Sequence, residues 1–290
     1  MISKLALVCI CILALFVIIY AVSKREDYTR MFDFPVYVPA KVSPRQRGNK
    51  SQKIPYTVVR SFATNRVSTL FDDAVNNMYR MNPEYEHVFF NDDECEKFMY
   101  TNFPGRVYNA YDSIIPGAYK GDLFRMCYLY KNGGVYLDLN KTLMIPLRKV
   151  IDNNYDLVTV IDLGSCCVWQ AFLACKPGLP VMLECIMKAV ENIENKYYGI
   201  NSLDITGPMM MGRVFKKYYG ECVKYPGIYR KKGELVKLLY HAGDYANDED
   251  NTKIIDLNNK IRERMRITWE NQTSVPHYGI LYEQRKVYKY

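Results

Sequence analysis

The 290-residue sequence lacks the patterns that mark several common classes of protein. It contains nine cysteines but no Cys-x-x-Cys pair, which argues against a structural zinc site or a thioredoxin-like redox centre. It has no internal repeat and no low-complexity tract. Neither a zinc-knuckle spacing nor an RNP-type aromatic motif is present, so we expect no nucleic-acid partner.

The composition is that of a folded chain rather than a disordered one. Hydrophobic residues make up 49% of the sequence and charged residues 24%, which is enough apolar material for a sizeable core. Tyrosine is abundant, with 26 residues against 2 tryptophans. Tyrosine rings suit sugar or nucleotide clefts because they combine apolar area with a hydroxyl group, although most of them are expected in half-buried core positions.

The net charge of +8 is unevenly distributed. Between Gly212 and Lys237 the chain carries eight basic residues, against Glu221 and Glu234 as the acidic ones. Two interpretations of this basic region stay open. It could face an anionic partner such as a nucleotide phosphate or an anionic lipid surface, or it could be a solvated helical face.

The amino terminus contains an uninterrupted apolar run, Leu5–Val22, of 18 residues. About 20 such residues span a bilayer as a helix, so we predict a short tail at 1–4, a transmembrane signal-anchor at 5–22, a stem at 23–52 and one folded domain at 53–290. A signal peptide cleaved after Ala21-Val22-Ser23 is the alternative. The basic residues after the run favour a cytosolic domain by the positive-inside rule.

Strand and helix patterns alternate along the rest of the chain, which predicts an α/β fold with a mainly parallel central sheet and helices on both faces. Gly133 is expected to end the central helix in the left-handed conformation. Strands are predicted at Tyr56–Phe62, Tyr85–Phe90, Val135–Leu139, Tyr155–Ile161 and Gln170–Cys175. Helices are predicted at Ser68–Met81, from Asn91 or Asp92, and at Tyr119–Lys131, Leu179–Ile193 and Met209–Tyr219.

The segment Lys120–Asn140 carries the strongest chemical signal. Asp122 and Arg125 are three residues apart on the predicted helix, so they share a face opposite much of its apolar stripe. Asp138 and Asn140 leave the following strand two residues apart, so on an extended chain both would point the same way, toward one divalent ion. The alternatives are a surface ion pair for the first two residues and a simple turn before Lys141 for the second two.

This order and spacing resembles glycosyltransferase family 32, the sugar transferases with an Asp-x-Asp motif that include α-1,6-mannosyltransferases and inositol-phosphoceramide mannosyltransferases. The resemblance runs from about residue 54 to 210. Its central strings are Gly121–Arg125, Tyr130–Gly134 and Val135–Asn140. Similar family positions lie at Ile54–Thr64, Asn82–Glu86, Ala174–Pro180 and Thr206–Pro208.

The resemblance implies a GT-A-like fold, related to the Rossmann fold, that moves a hexose from a nucleotide-sugar donor to a glycan or glycolipid acceptor with retention of configuration. It implies that Phe62 lies near the nucleotide and that Asp122 and Arg125 hold the donor sugar and its phosphate. It further implies that Asp138 meets the ribose and a metal ion. Gly134 and Tyr136 belong to the same implied nucleotide-sugar site.

The same resemblance implies Mn²⁺ or Mg²⁺ held by Asp138, Asn140 and a late histidine, for which His241 is the first candidate and His277 a weaker one. Asn140 stands where the family usually has a second Asp, and its neutral amide should weaken metal binding. Asn140 also begins a glycosylation sequon, Asn140-Lys141-Thr142, whose glycan would abolish a ligand role.

Family analogy also places the catalytic domain in the Golgi or endoplasmic reticulum lumen as a type II membrane protein, against the charge rule. Two other functions stay open at this point. One is a pseudo-glycosyltransferase that binds sugar or nucleotide without turnover, which Asn140 would explain. The other is a membrane-tethered interaction protein that uses the basic region Gly212–Lys237.

Overall fold

The computed structural model describes residues 36–48, 51–162, 167–220, 225–257 and 275–289. The predicted transmembrane segment at 5–22 and the first part of the stem lie outside these ranges. Within the described residues, no helix combines the length and the apolar character needed to cross a bilayer.

Thirteen strands are found in the described ranges, most of them short. They are β1 (Val36–Tyr37), β2 (Lys41–Val42), β3 (Thr57–Ser61), β4 (Arg66–Val67), β5 (Glu86–Phe90), β6 (Gly134–Leu137), β7 (Thr142–Leu143), β8 (Leu157–Ile161), β9 (Val168–Cys175), β10 (Gly227–Lys231), β11 (Glu234–Ala242), β12 (Tyr245–Asn247) and β13 (Lys253–Asp256). The five predicted strands correspond to β3, β5, β6, β8 and β9.

The described helices include all five that the sequence predicts. They are α1 (Asp72–Met81), α2 (Asp92–Asn102), α3 (Arg106–Ser113), α4 (Gly117–Asn132), α5 (Leu147–Val150), α6 (Pro180–Glu194), α7 (Pro208–Tyr219) and α8 (Tyr278–Glu283), with a 3₁₀ turn at Thr69–Phe71 before α1. A capping box fixes the start of α2, since the Asn91 side chain accepts from the Glu94 amide and the Glu94 carboxylate accepts from the Asn91 amide.

Eleven strands form one sheet in the order β2-β5-β3-β6-β9-β8-β11-β12-β13-β7, with β10 paired to β11. The α/β class is confirmed, but the expectation of a mainly parallel sheet is wrong because the sheet is mixed. Parallel pairing occurs between β3 and β5, β3 and β6, and β8 and β11, and the other described pairs of this sheet are antiparallel. Connections such as those before β9 and between β11, β12 and β13 are too short for a crossover helix, so these strands return antiparallel.

Two glycines make the turn from α4 into β6 possible. Gly133 ends α4 with a φ of 66° and a ψ of −163°, so its φ is positive as expected but its ψ is extended rather than left-handed helical. Gly134 has a φ of 103°, and a Cβ there would lie 2.7 Å from the Thr57 carbonyl oxygen in β3. A side chain at Gly134 would therefore push β6 away from β3.

Hydrophobic cores lie on both faces of the sheet. The larger core surrounds α4, where Leu123, Phe124, Met126, Cys127 and Leu129 are all fully buried. Asp122 and Arg125 share a face of α4 as expected, but that face is not exposed, because α4 packs between the sheet and α6 and is covered around its central turns. Their side chains are only 13% and 11% exposed.

Candidate functional site

A cleft of about 900 Å³ opens at the carboxyl ends of the parallel strands. Ser61 ends β3 and Phe62 follows it, Asp92 follows β5, and Asp138 follows β6, and all four residues line the cleft. Open α/β sheets bind ligands at this edge because loops from neighbouring parallel strands converge there. The sheet therefore places Asp138 where the sequence predicts chemistry.

Other segments complete the wall of the cleft. Trp169 stands at the start of the antiparallel strand β9, His241 near the end of β11, and Leu257 after β13. The carboxy-terminal residues Val275–Tyr278 line it as well. The cleft is thus assembled from parts of the chain that lie more than 100 residues apart.

Asp138–Lys141 form a turn, since the Lys141 amide donates to the Asp138 carbonyl oxygen at 3.0 Å. The expectation of an extended Asp138–Asn140 segment is therefore wrong, and the alternative of a turn before Lys141 is correct. The turn still brings Asp138, Leu139, Asn140 and Lys141 into the wall of the cleft. Four consecutive residues contribute because the backbone reverses at this point.

Arg125 is held by several neighbouring groups. Its Nη1 donates to the Gln170 carbonyl oxygen at 3.0 Å and its Nε to the Gly121 carbonyl oxygen at 3.1 Å. The guanidinium carbon lies 4.4 Å from the centre of the Tyr136 ring, in a cation–π contact. The Oδ1 atom of Asp138 is 3.3 Å from Nη1.

Asp122 lies behind Arg125, outside the cleft lining. Its Oδ1 is 3.6 Å from Arg125 Nη2, and its Oδ2 accepts a hydrogen bond from Thr206 Oγ1 at 2.9 Å. Burial raises the pKa of Asp122 to about 6, although Arg125 and Thr206 act to lower it. Burial alone would lower the pKa of Arg125, but Tyr136, Asp138 and Asp122 hold it above its usual value.

These contacts form a closed ring of buried polar groups. Gln170 Nε2 donates to the Thr206 carbonyl oxygen at 2.9 Å, and both residues are almost fully buried. The ring therefore runs from Asp122 to Arg125, on to Gln170 and Thr206, and back to Asp122. Because each member fixes the next, the guanidinium is held in one orientation before any ligand arrives.

Tyr136 links this ring to the turn. Its hydroxyl donates to Asp138 Oδ1 at 3.0 Å and lies 3.3 Å from Ser61 Oγ. Burial raises the pKa of Tyr136 above its usual value, so the hydroxyl stays protonated and serves as a donor. Asp138 keeps 31% of its side chain exposed, on the side of the cleft.

A second group of side chains, which the sequence does not predict as a unit, lies on the other side of the turn. Lys141 is 6% exposed, and its ammonium group donates to the Leu257 carbonyl oxygen at 2.6 Å. The same nitrogen is 5.5 Å from the centre of the Trp169 ring. The rings of Trp169 and His241 stack in parallel with centres 6.2 Å apart, and His241 Nε2 is 3.0 Å from the Gly243 carbonyl oxygen. All five residues line the cleft.

Most of the other predicted site residues line the cleft, whereas one of them contributes to strand packing instead. Phe62 and Asn140 line the cleft, and Phe62 packs on Phe71 with ring centres 5.3 Å apart. Gly134 does not line it and instead lies against Thr57 in the neighbouring strand. His277, the weaker histidine candidate, lines the cleft beside Tyr278.

Part of the basic region Gly212–Lys237 is used within the fold. Arg213 forms an ion pair with the buried Asp204, the ammonium group of Lys232 lies 4.0 Å from the centre of the Tyr218 ring, and Lys237 is 9% exposed in β11. These three side chains therefore have structural contacts. The solvated-face interpretation can therefore apply only to other basic residues of the region, of which Lys216, Lys217, Arg230 and Lys231 are described and exposed.

The turn itself offers few protein ligands for a divalent ion. Among the described residues, no three His, Cys, Asp or Glu side chains converge as a metal site. The Oδ1 atom of Asp138 already contacts Arg125 and Tyr136, and the neighbouring ligand position is the neutral amide of Asn140. Mg²⁺ and Mn²⁺ favour carboxylate oxygens, and here the turn ends in a buried lysine instead.

Comparison with known proteins covers the segment that holds α4, β6 and the turn. Residues 68–156 match the family model of a glycosyltransferase sugar-binding region containing DXD motif. The predicted resemblance is confirmed over this segment. The match includes Asp122, Arg125 and Asp138, and it ends before Trp169.

A curated relative covers part of the same chain. Inositol phosphoceramide mannosyltransferase 3 of Schizosaccharomyces pombe is 32% identical over 92 residues, which are 32% of this chain and 26% of that protein. The chain therefore spans about a quarter of the length of this relative. Among solved structures, a chain titled PaToxG Glycosyltransferase overlaps 57% of this chain and 70% of its own length at 14% identity, with a TM-score of 0.48.

Proposed function

We propose that this protein is a glycosyltransferase that moves a hexose, with mannose as the first candidate, from a nucleotide-sugar donor to a glycan or glycolipid acceptor. One observation carries the proposal. A fixed arginine and a partly exposed aspartate meet at the carboxyl edge of an α/β sheet, inside the segment that matches the sugar-transferase family.

The geometry suits the departure of a diphosphate. When the bond between the sugar and the phosphate breaks, negative charge grows on the leaving phosphate oxygens. The Arg125 guanidinium is already oriented by Gln170 and Asp122, so it can stabilise that charge without reorganising. Asp138 has exposed carboxylate surface, which can accept hydrogen bonds from ribose or sugar hydroxyl groups.

Phe62 and Tyr136 complete the proposed donor site. Phe62 offers an aromatic face beside the end of β3 for the base of the nucleotide. The GT-A-like fold and the retention of configuration are parts of the proposal that come from the family resemblance. Asp138 and Asn140 are the residues that would hold a divalent ion, and such an ion would neutralise charge on the leaving diphosphate.

The alternative of a binding protein without turnover is favoured by one feature, the neutral Asn140 in the turn. Both candidates predict that a nucleotide sugar occupies the cleft. They differ in whether the bond between the sugar and the phosphate is broken, so a turnover measurement separates them.

The test is a hydrolysis and transfer screen of the full chain with UDP- and GDP-linked hexoses, each with manganese and with a chelator. We expect at least one donor to be turned over and Asp138→Asn to reduce that turnover about a hundredfold. Asp250→Asn, an exposed carboxylate in the β12–β13 loop, is the matched control and should leave the rate unchanged. Donor binding without turnover by any sugar would favour the pseudo-glycosyltransferase.

The membrane anchor at 5–22 and a lumenal catalytic domain are proposals of the same kind. The sequons at Asn49 and Asn271 provide a test, because they can be glycosylated only in the lumen. Expression in cells followed by glycosidase treatment should shift the mobility of the chain. An unshifted chain that is digested by protease added to sealed microsomes would place the domain in the cytosol instead.

A further inference from the structure

We propose that the parallel rings of Trp169 and His241 form the acceptor subsite of the cleft, where they bind the pyranose ring of a glycan or glycolipid. We call these two rings the aromatic wall. The inference rests on the proposed function, since it concerns the other half of the same cleft. Three features support it: the order of the strand ends, the contacts that connect β9 to Arg125, and the geometry of the two rings.

The strand order divides the cleft into two halves. Along its edge the strands follow one another as β3, β6, β9, β8 and β11. Phe62 follows β3 and Asp138 follows β6, whereas Trp169 begins the antiparallel strand β9 and His241 lies near the end of β11. A donor with its base on Phe62 and its diphosphate beside Arg125 therefore occupies the β3–β6 half. The β9–β11 half is left for the second substrate.

Hydrogen bonds connect the start of β9 directly to the charged groups of the donor site. The carbonyl oxygen of Gln170, the residue after Trp169, accepts from Arg125 Nη1 at 3.0 Å. The carbonyl oxygen of Ala171 accepts from the Asp138 amide at 2.9 Å. A sugar bound on Trp169 would thus lie beside the groups that hold the diphosphate. An acceptor needs this position, because its hydroxyl oxygen must reach the anomeric carbon of the donor sugar.

The geometry of the aromatic wall suits the face of a pyranose. The two rings are parallel within 3°, and the distance of 6.2 Å between their centres means that they are offset and overlap only in part. Both residues line the cleft. The C–H groups on one face of a pyranose are weakly positive, so they pack favourably on the negative face of an aromatic ring. Two offset rings present a broader surface of this kind than one ring does.

His241 also supplies a polar group for sugar recognition. Its Nε2 atom is 3.0 Å from the Gly243 carbonyl oxygen. Because a carbonyl oxygen can only accept, Nε2 carries the proton, and Nδ1 of the neutral ring is an acceptor. A sugar hydroxyl can donate to Nδ1. The wall therefore combines apolar area with an oriented polar atom, as small-molecule sites usually do.

The aromatic wall takes no covalent part in the transfer. The acceptor hydroxyl oxygen forms a bond to the anomeric carbon of the donor sugar, and the bond from that carbon to the diphosphate oxygen breaks. The electron pair of the broken bond leaves with the diphosphate, which also takes up the hydroxyl proton. The wall holds the sugar ring that carries this hydroxyl.

The experiment measures donor hydrolysis and sugar transfer by the full chain, with UDP- and GDP-linked hexoses as donors and methyl hexopyranosides as acceptors. We expect at least one pyranoside to accept sugar. Mannitol, an open-chain hexitol with hydroxyl groups but no ring face, should accept none. Trp169→Ala should raise the KM for the pyranoside about tenfold and change donor hydrolysis by less than about twofold. Tyr225→Ala removes an exposed ring outside the cleft lining and is the matched control, with transfer unchanged.

Two further measurements keep the test valid if Trp169→Ala fails to fold. Trp169→Phe keeps a smaller ring, so its KM for the pyranoside should be raised about two- to fivefold. Saturation-transfer NMR of the wild type should show contact with the C–H protons of the pyranoside and none with mannitol. Methyl and octyl pyranosides of the same sugar separate the two sources of the ring, since a glycan site treats them equally and a glycolipid site prefers the octyl form.

The outcomes separate this proposal from the proposed function. An unchanged KM for the pyranoside in both Trp169 variants would overturn the acceptor subsite, and so would equal transfer to mannitol. Binding of UDP or GDP that Trp169→Ala weakens tenfold would place the nucleotide on the wall and would overturn it as well. Donor hydrolysis without transfer to any pyranoside would overturn the subsite and leave the donor site standing. Neither binding nor turnover of any donor would contradict both proposals.

Discussion

The two sides of the Asp138–Lys141 turn are built in different ways. On the arginine side, Asp122, Arg125, Tyr136 and Asp138 come from one helix and the strand that follows it, within 17 residues. On the lysine side, Lys141 contacts Trp169 and Leu257, and Trp169 stacks on His241, so three other strand ends contribute. The first side is set by local spacing in the sequence, whereas the second exists only because the sheet brings distant segments together.

The difference also extends to charge. The arginine side pairs one guanidinium with two carboxylates and closes its hydrogen bonds through Thr206 and Gln170. The lysine side combines a buried ammonium group with two aromatic rings. We infer that the arginine side fixes the position of charged groups in the cleft, whereas the lysine side supplies an aromatic wall.

The largest expected effect comes from removing the centre of the arginine side. Arg125→Met leaves Asp122 buried with its opposite charge missing and Asp138 without its ion pair, so we expect a loss of about 3–5 kcal/mol in the free energy of unfolding. Transfer activity should fall below detection. Denaturant unfolding and donor turnover are the measurements. Arg125→Lys should recover stability better than activity, because lysine keeps the positive charge but lacks the paired N–H donors of the guanidinium.

Asp138→Asn should separate activity from stability within that same side. The side chain is 31% exposed and the amide oxygen can still accept from Tyr136, so we expect less than about 1 kcal/mol of destabilisation. Turnover should nevertheless fall about a hundredfold. A loss of stability as large as that of Arg125→Met would show that Asp138 serves the fold rather than the donor.

Thr206→Val tests the closed ring through pH. Burial raises the pKa of Asp122 to about 6 in the folded chain from an unfolded value of 3.8, so the folded state holds this proton more tightly. The contribution of Asp122 to stability therefore decreases as pH rises from about 4 to about 6 and stays low above that.

Removing the Thr206 hydroxyl takes away a hydrogen bond that lowers this pKa. The decrease in stability should then extend to higher pH, and the free energy of unfolding at pH 7 should be about 1–2 kcal/mol lower than in the wild type. Denaturant unfolding from pH 4 to 8 measures this free energy, and the ¹³C titration of the Asp122 carboxyl carbon measures the pKa. Identical pH profiles for the variant and the wild type would exclude a role of Thr206 in the ring.

The smallest effect is expected on the lysine side at His241. Its ring stacks on Trp169 and its Nε2 atom contacts a carbonyl oxygen, so it supports the aromatic wall. His241→Ala should weaken nucleotide binding only about two- to fivefold, and by the same factor with manganese and with a chelator. A weakening that appears only when manganese is present would instead support His241 as a metal ligand.

The comparison of the two sides also shows which features the sequence could predict. The helix and strand around Asp122 and Asp138 follow from apolar periodicity and the glycine pair, and these elements appear nearly at their predicted bounds. The antiparallel pairing of β9 and the strands β10–β13 does not follow from local pattern. Pairing partners depend on short connections and on contacts between residues far apart in the chain.

The lysine side could not be predicted from the sequence, because it too depends on contacts between residues far apart in the chain. Lys141 directly follows the Asp-x-Asn string, which could have suggested a charged neighbour for a ligand. Its contact with Trp169 and Leu257, however, depends on the order β6-β9-β8-β11-β12-β13. Burial of Asp122 and Arg125 was equally invisible, since it results from packing of α4 against α6 and the sheet.

The most direct test of the account is hydrogen exchange of the full chain with and without saturating nucleoside diphosphate, measured by mass spectrometry. The account predicts added protection in peptides that cover α4, the Asp138–Lys141 turn and the start of β9, and it predicts that Arg125→Met abolishes this protection. Protection confined to the basic region Gly212–Lys237, or no protection at a saturating concentration, would contradict it.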